Sequence, residues 1–272
     1  MPLSNLQSRL LRQLAAHRNP ESFVAGASSL ARSGPRFSDD IDVFHDREEA
    51  VQAAADADAI VLGDAGFRVE WTRRLPAICT AIVHGGDEAT RLEWVVDSDF
   101  RFFPAVRDEL FGYVLHLADI ATNKALAAAG RREPRDILDL LLIHEWILPL
   151  GAVAWAAVAK DPGFTPEGLI AEIRRNSRYQ QADYDRLRTE TSVDAGSVSR
   201  ALRAALTEAD AFVRAMPAGK EGLLFIQDGR PVQPDPKNLD GYLVHGGQRR
   251  GHWPGSAEIS SAMLQQSQLP PV

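Results

Sequence analysis

Cysteine is nearly absent: Cys79 is the only one in 272 residues. An internal disulfide is therefore excluded, and a single thiol fits a reducing cytoplasm, the expected location. The seven histidines show no paired spacing of the zinc-binding kind. An excess of basic charge is missing too. Thirty Lys and Arg face 37 Asp and Glu, a formal net charge of −7. That argues against a surface that grips nucleic acid everywhere, while leaving room for a local basic face. No apolar run is long enough to span a bilayer. The most apolar region, 137–159, is broken by Asp139, His144, Glu145 and Pro149 and reads as a buried helix pair. Near the start, Leu3, Leu6, Leu10, Leu11 and Leu14 are spaced as on a helix with Arg between them, unlike the continuous apolar core of a signal peptide. No membrane partner is expected, and no internal repeat is evident. With 45% apolar and 25% charged residues, the chain has the composition of a globular protein with one large domain or two.

What is there is concentrated first in Phe23-Val-Ala-Gly-Ala-Ser-Ser-Leu-Ala-Arg-Ser-Gly-Pro-Arg-Phe-Ser-Asp-Asp-Ile-Asp-Val-Phe44. It begins apolar and extended, breaks at Gly26, and offers Ser28 and Ser29 before a polar Gly/Pro turn. Asp40-Ile41-Asp42-Val43-Phe44 then reads as a strand. Side chains alternate faces along a strand, so Asp40 and Asp42 share one side and Ile41 and Val43 the other. Two carboxylates so placed, with no Lys between them, repel unless a cation sits there. Oxygen-only donors suit Mg²⁺, which takes one or two carboxylates plus substrate phosphates. Gly26, Ala27, Ser28 and Ser29 would offer backbone N–H and hydroxyl donors to those phosphates, the more so if a helix opens there. A solvated turn running into a strand is the other reading of the same residues.

The order strand, Gly-x-Ser turn, eleven residues, Asp-x-Asp on a second strand resembles the first motif of the nucleotidyltransferase superfamily, the polymerase-beta-like fold. More narrowly, Arg36-Phe-Ser-Asp-Asp-Ile-Asp42 resembles the AbiEii/AbiGii-type nucleotidyltransferases, several of which are toxins of toxin–antitoxin systems. One departure is Ala27, where that family usually has a second glycine; Ala narrows the approach of a phosphate.

Further along, 47–64 is Ala-rich and helical, and three strands follow at 67–74, 77–84 and 91–96, the last two joined by a Gly85-Gly86-Asp87 turn. Leu92, Trp94 and Val96 face one side, and Glu93, Val95 and Asp97 the other. The resemblance implies a third carboxylate on a neighbouring strand to complete the metal site; Glu93 takes that role, with Asp97 as the reserve. A surface strand with its wet face outward is the alternative.

The second signal is Leu117-Ala-Asp-Ile-Ala-Thr-Asn-Lys-Ala-Leu-Ala-Ala-Ala-Gly-Arg-Arg-Glu-Pro-Arg-Asp-Ile-Leu-Asp-Leu140. Strong helix formers run over 117–129 to Gly130, and Pro134 suits the first turn of a second helix. That second helix is apolar nearly all round, which predicts burial. Asp136 and Asp139 share one of its faces, and buried carboxylates need paired cations. Lys124, Arg131 and Arg135 are the candidates, Arg135 at i, i+4 to Asp139. An ion-pair network pinning two helices together is one reading. The wording also resembles the helical part of the AbiEii-type family, with its Asp-(Leu/Ile)-Ala-x-x-Lys, Gly-Arg and Arg-Asp-x-x-Asp. That implies Lys124 on the nucleotide phosphates, with Asp136 orienting it or assisting proton transfer, and Arg135 and Asp139 also binding the nucleotide. Together the two motifs cover 20–145.

Residues 152–215 read as helical, with Arg174, Arg175 and Arg178 forming a solvated face or an RNA-backbone contact. Asp228-Gly229 signals a hairpin, a turn-rich arm follows, and 265–272 reads as disordered. The expected fold is α/β (α+β): a nucleotidyltransferase-like mixed sheet with flanking helices over 1–115, a helical domain over 116–217, and a hairpin with an extended C-terminal arm over 218–272. Between the first two parts a cleft is expected to hold the nucleotide. The function implied is Mg²⁺- or Mn²⁺-dependent transfer of a nucleoside monophosphate from an NTP. The acceptor would be a hydroxyl on RNA or tRNA, a protein or a small molecule, and a cognate antitoxin is an implied partner. A nucleotide-binding module without turnover and a metal-dependent phosphohydrolase are the alternatives.

Overall fold

The computed structural model describes residues 3–26, 30 and 36–265. Ala27, Ser28 and Ser29, expected at the phosphates, lie outside the described residues, as do 266–272, read from sequence as disordered. The chain divides into two units. One holds the described residues up to 99 together with 104–116, and the other holds 100–103 and the described residues from 117 onward.

In the first unit, helix α1 (Asn5–Leu14) starts at a capping box. The Ser4 hydroxyl accepts the Gln7 N–H at 3.1 Å and the Gln7 side chain accepts the Ser4 N–H at 3.0 Å, which satisfies two N–H groups that a helix start leaves open. The strands are β1 (Ser22–Ala25), β2 (Asp40–His45), β3 (Arg68–Leu75), β4 (Ile78–Gly85), β5 (Glu88–Val96), β7 (Val106–Asp108) and β8 (Gly112–Val114), with helix α2 (Glu48–Asp64) between β2 and β3 and β6 (Phe100–Arg101) counted with the second unit. They form a seven-stranded sheet in the order β3-β4-β5-β2-β1-β8-β7. The β2–β5 and β1–β8 pairs are parallel and the rest antiparallel, so the sheet is mixed. The predicted turn between the second and third strands closes on Gly85 paired with Glu88, with Gly86 at φ +68°.

Alternation decides what each face of this sheet does. Ile41 and Val43 of β2, Cys79, Ala81 and Val83 of β4, and Leu92 and Trp94 of β5 pack beneath Leu6, Leu10, Leu11 and Leu14 of α1 and Val51, Ala55 and Leu62 of α2. Burying each Leu, Ile or Val of this set stabilises by roughly 1.5–3 kcal/mol. The opposite face carries the carboxylates. Gln7 ties the two levels together: its buried amide donates to the Ser38 carbonyl (3.0 Å) just before β2 and to the Thr90 hydroxyl (3.1 Å) on β5.

One charged group lies within the apolar stripe of α2. Asp58 is fully buried, and both its oxygens accept from Arg18 Nη2 at 2.5 Å. Trp94 Nε1 donates to Asp58 Oδ2 at 2.7 Å, and Arg18 Nη1 donates to the Ser22 hydroxyl at 3.2 Å. His45, at the core-facing end of β2, is buried as well. Burial first, and the Arg18 charge second, lower its pKa from 6.5 to about 4. The unfolded chain therefore takes up the proton first, and stability present above pH 6.5 is lost as pH falls towards 4. His45→Leu removes this linkage. Relative to the variant, the native chain is expected to lose on the order of 3 kcal/mol across that interval, read by urea denaturation at stepped pH. Burial pushes the Asp58 carboxyl up, a trend of opposite sign. It is common to both proteins and cancels in their difference.

The second unit is mostly helical. Its elements are α3 (Leu117–Gly130), α4 (Pro134–Trp146), α5 (Leu150–Ala157), α6 (Pro166–Asn176), α7 (Gln181–Tyr184), α8 (Ala195–Ala215), β9 (Leu223–Gln227), β10 (Arg230–Val232), β11 (Leu243–Gly246), β12 (Gln248–Arg249) and α9 (Ser261–Leu264). Helix α3 packs against α4, α5 and α6, and α5 is buried along its whole length. The Asp228-Gly229 hairpin forms with both residues at positive φ. The arm after it contributes more structure than its turn-rich sequence suggested: β11 joins β9 as a third strand and β12 pairs with β6. Helix α4 is less buried than its apolar sequence predicts, since Trp146 at its end is half exposed. Among the described residues no single helix is long and apolar enough to cross a membrane; α4 and α5 pass together on composition but are bent by 110°.

Candidate functional site

The parallel register of β2 on β5 places Asp40 opposite Arg91 and Asp42 opposite Glu93, while β1 sets Ala25 on the other side of Asp42. Asp40, Asp42, Arg91 and Glu93 consequently share one sheet face, because partners across a ladder and residues two apart point the same way. Asp40 is nearly buried, its carbonyl accepts the Ser38 hydroxyl (2.8 Å), and its Oδ2 takes Arg91 Nη2 at 2.5 Å. Glu93 Oε2 accepts the Thr80 hydroxyl at 3.2 Å from β4. Asp97, the reserve, lies past the end of β5, where its carboxylate accepts the Ser98 N–H at 2.7 Å. Glu93 is thus the acid that stands beside Asp42.

Gly26 closes this face at its edge. Its φ is +76°, and a Cβ built there would stand 2.7 Å from Asp42 Oδ2, so both the backbone turn and the carboxylate exclude a side chain. Gly26→Ala is expected to destabilise the chain by about 1–2 kcal/mol from the φ penalty alone, with the contact on Asp42 adding to it. Thermal unfolding checks the loss.

In the second unit, Lys124 is buried with its ammonium between two aspartates of α4: Nζ lies 2.7 Å from Asp139 Oδ2 and 3.6 Å from Asp136 Oδ1. Asp136, fully buried, also receives Arg131 in a two-pronged bond, Nε at 2.7 Å and Nη2 at 3.0 Å. That bond offsets the effect of burial on the guanidinium and raises its pKa. Arg135 Nε stands 3.7 Å from Glu133 Oε2. Lys124, Asp136 and Asp139 are therefore brought together as the sequence suggested. The motif's other acid does something the sequence did not show. Asp119 has no exposed surface; its oxygens accept the Phe102 and Phe103 N–H groups (2.9 and 3.0 Å) and pair with Lys160 (2.9 Å), so it anchors 100–103 to α3.

No protein-family model matches the chain, and comparison with curated proteins finds no match. Among solved structures, MenT4, a nucleotidyltransferase toxin from Mycobacterium tuberculosis H37Rv, is similar with 18% identity and a TM-score of 0.50, over 78% of this chain and 83% of that one. The fold is nucleotidyltransferase-like. A likeness at this identity speaks to the fold alone. A candidate nucleotidyltransferase from H. pylori gives 13% identity and a TM-score of 0.44, over 77% of this chain and 93% of that one. The Cid1 poly(U) polymerase bound to MgGTP gives 11% and 0.28, over 89% and 76%. Neither of these adds to the comparison.

Within this nucleotidyltransferase-like sheet the donor chemistry suits a hard divalent cation: oxygen donors only, on one face, with a glycine where a Cβ would meet one of them. Their spacing is another matter. Among the described residues no three Asp, Glu, His or Cys side chains stand as a group able to hold a metal ion. The residue that sequence reasoning missed is Arg91, whose guanidinium sits on Asp40. Its signal was present, since Arg91 is two residues from Glu93 and so on the same face of β5, but its partner is 51 positions away. An open groove of about 520 Å³ between α2 and β3, lined by Ile60, Phe67, Val69 and Trp71, contains none of the candidate residues.

Proposed function

We propose that the chain is a nucleotidyltransferase that moves a nucleoside monophosphate from an NTP to an acceptor hydroxyl. The observation that carries the reading is the β2–β5 register, which gathers Asp40, Asp42 and Glu93 on one face of a nucleotidyltransferase-like sheet. These three residues would hold Mg²⁺ or Mn²⁺. Such an ion, when bound, lowers the pKa of a hydroxyl and neutralises charge on a phosphoryl group.

The chain's own side chains are assigned the rest. Gly26 leaves room for the Asp42 carboxylate, and Gly26, Ala27, Ser28 and Ser29 are assigned to the triphosphate. Lys124 is assigned to the leaving pyrophosphate. Support for that role is its orientation by Asp136 and Asp139, which fixes a flexible ammonium at no further entropic cost when charge develops. In this reading Asp136 orients Lys124 or assists proton transfer, Arg135 and Asp139 lie at the nucleotide, and Arg131 balances the charge of Asp136.

The test uses α-³²P-labelled ATP, CTP, GTP and UTP with Mg²⁺, total RNA and soluble cell protein, with Asp42→Asn alongside. Label in RNA or in protein that vanishes in the variant establishes transfer and names the acceptor class. Label in neither, with all four nucleotides and an intact fold, overturns transfer to those two classes. A toxin role with a cognate antitoxin is part of the same reading. It requires that expression of the chain arrest growth and that Asp42→Asn relieve the arrest. A nucleotide-binding module without turnover is the second reading, and the Arg91 guanidinium on Asp40 is the observation that favours it. Nucleotide binding without pyrophosphate release would select it.

A further inference from the structure

The carboxylate face already holds a cation, and that cation belongs to the chain. Arg91 reaches across the β2–β5 ladder to place Nη2 at 2.5 Å from Asp40 Oδ2, from a side chain that is 46% exposed, whereas that of Asp40 is 9% exposed. The β2–β5 register sets Arg91 opposite Asp40 and two residues from Glu93, on the face that also carries Asp42. Like charges side by side across a ladder repel, and Asp42 beside Glu93 is such a pair. An arginine two residues from Glu93 relieves that repulsion in the protein without a metal ion.

We propose that Arg91 is an internal counter-ion of the carboxylate face that competes with a divalent cation for Asp40. This rests on the assignment of Asp40, Asp42 and Glu93 as the metal-holding face. It accounts for the disagreement noted above: the donors have the right chemistry and share a face, yet do not stand as a three-ligand group. Loading a metal ion has to swing Arg91 off Asp40 towards solvent, a movement its half-exposed side chain permits. In the metal-free protein Arg91 thereby offsets the charge of Asp40, and metal affinity is lowered by whatever the Arg91–Asp40 pair contributes. Arg91 is a positioning residue in this scheme.

Mn²⁺ alone is the probe. Its binding is measured by the loss of the free-ion electron paramagnetic resonance signal, on the full chain without nucleotide, for the native protein, Arg91→Gln, Arg91→Lys and Asp42→Asn. Arg91→Gln is expected to bind Mn²⁺ about fivefold or more tightly than the native chain, the factor that loss of a competing, partly exposed ion pair of ~1 kcal/mol releases. Arg91→Lys should fall between them, because a point charge replaces a planar fork. If the pair merely staples β2 to β5, Arg91→Gln lowers thermal stability and leaves Mn²⁺ affinity unchanged or weaker, which overturns the proposal. Asp42→Asn separates the two levels of inference. Loss of Mn²⁺ binding in Asp42→Asn with no gain in Arg91→Gln removes the counter-ion role alone. Undiminished Mn²⁺ binding in Asp42→Asn, or no binding in any of the four, removes the metal face and the counter-ion role together.

Discussion

Asp58→Ala is expected to cost about 3–5 kcal/mol of folding stability, enough to unfold many domains of this size. The carboxylate lies in the buried stripe of α2, between Val51, Ala55 and Leu62, and takes both hydrogen bonds of Arg18 Nη2 and the indole N–H of Trp94. Truncation leaves the Arg18 guanidinium, whose side chain is 1% exposed, without its counter-charge, and leaves the Trp94 donor unmatched. Most of the loss comes from those orphaned partners, since the attraction within a buried pair is largely offset by the cost of drying both charges. The corollary is non-additivity. Arg18→Leu with Asp58→Leu should cost far less than the two single losses added, because the double variant strands no charge. Guanidinium chloride denaturation of the four proteins measures the coupling; additive losses would refute this account of the pair.

On the proposed function, Asp42→Asn is expected to lower nucleotidyl transfer by about 10³-fold while leaving the thermal midpoint within a few degrees of the native chain. Asn keeps the size and position of the side chain between Ala25 and Glu93 and removes only its charge. Relief of repulsion with Glu93 works in favour of the variant fold, so lost transfer at an unchanged thermal midpoint would not reflect unfolding. Glu93→Gln should lose less, because Thr80 already shares its carboxylate and the flanking Asp40 and Asp42 remain. Initial rates of pyrophosphate release with the NTP identified by labelling supply the measurement. Full activity in Asp42→Asn would remove the carboxylate face from the mechanism.

Several elements were legible from residue order because their causes are local. The alternation in Asp40-Ile41-Asp42-Val43 placed two acids on one face, and Gly85-Gly86-Asp87 and Asp228-Gly229 placed their hairpins, since these turns demand positive φ from residues that tolerate it. Pro134 and the Ala-rich run before Gly130 marked α3 and α4, and the spacing of Asp136 and Asp139 announced paired cations, which are Lys124 on Asp139 and Arg131 on Asp136. The exposed Trp146 shows the limit of an apolar count: hydrophobicity raises the chance of burial without saying which neighbour will cover the side chain.

Sequence alone therefore determined which side of its own strand or helix each candidate residue occupies, because a periodicity of 2 or 3.6 is a property of the local backbone. Tertiary structure alone decided what each of them meets. Parallel register brought Arg91 onto Asp40 and Glu93 beside Asp42 from some 50 residues away, packing of α1 and α2 on the sheet closed Arg18 onto Asp58 under Trp94, and α3 used Asp119 to hold the backbone of Phe102 and Phe103. These pairings have no local signal. They follow from the burial of apolar faces, which fixes register, and the polar groups carried into the interior then bond to whatever partner that register supplies.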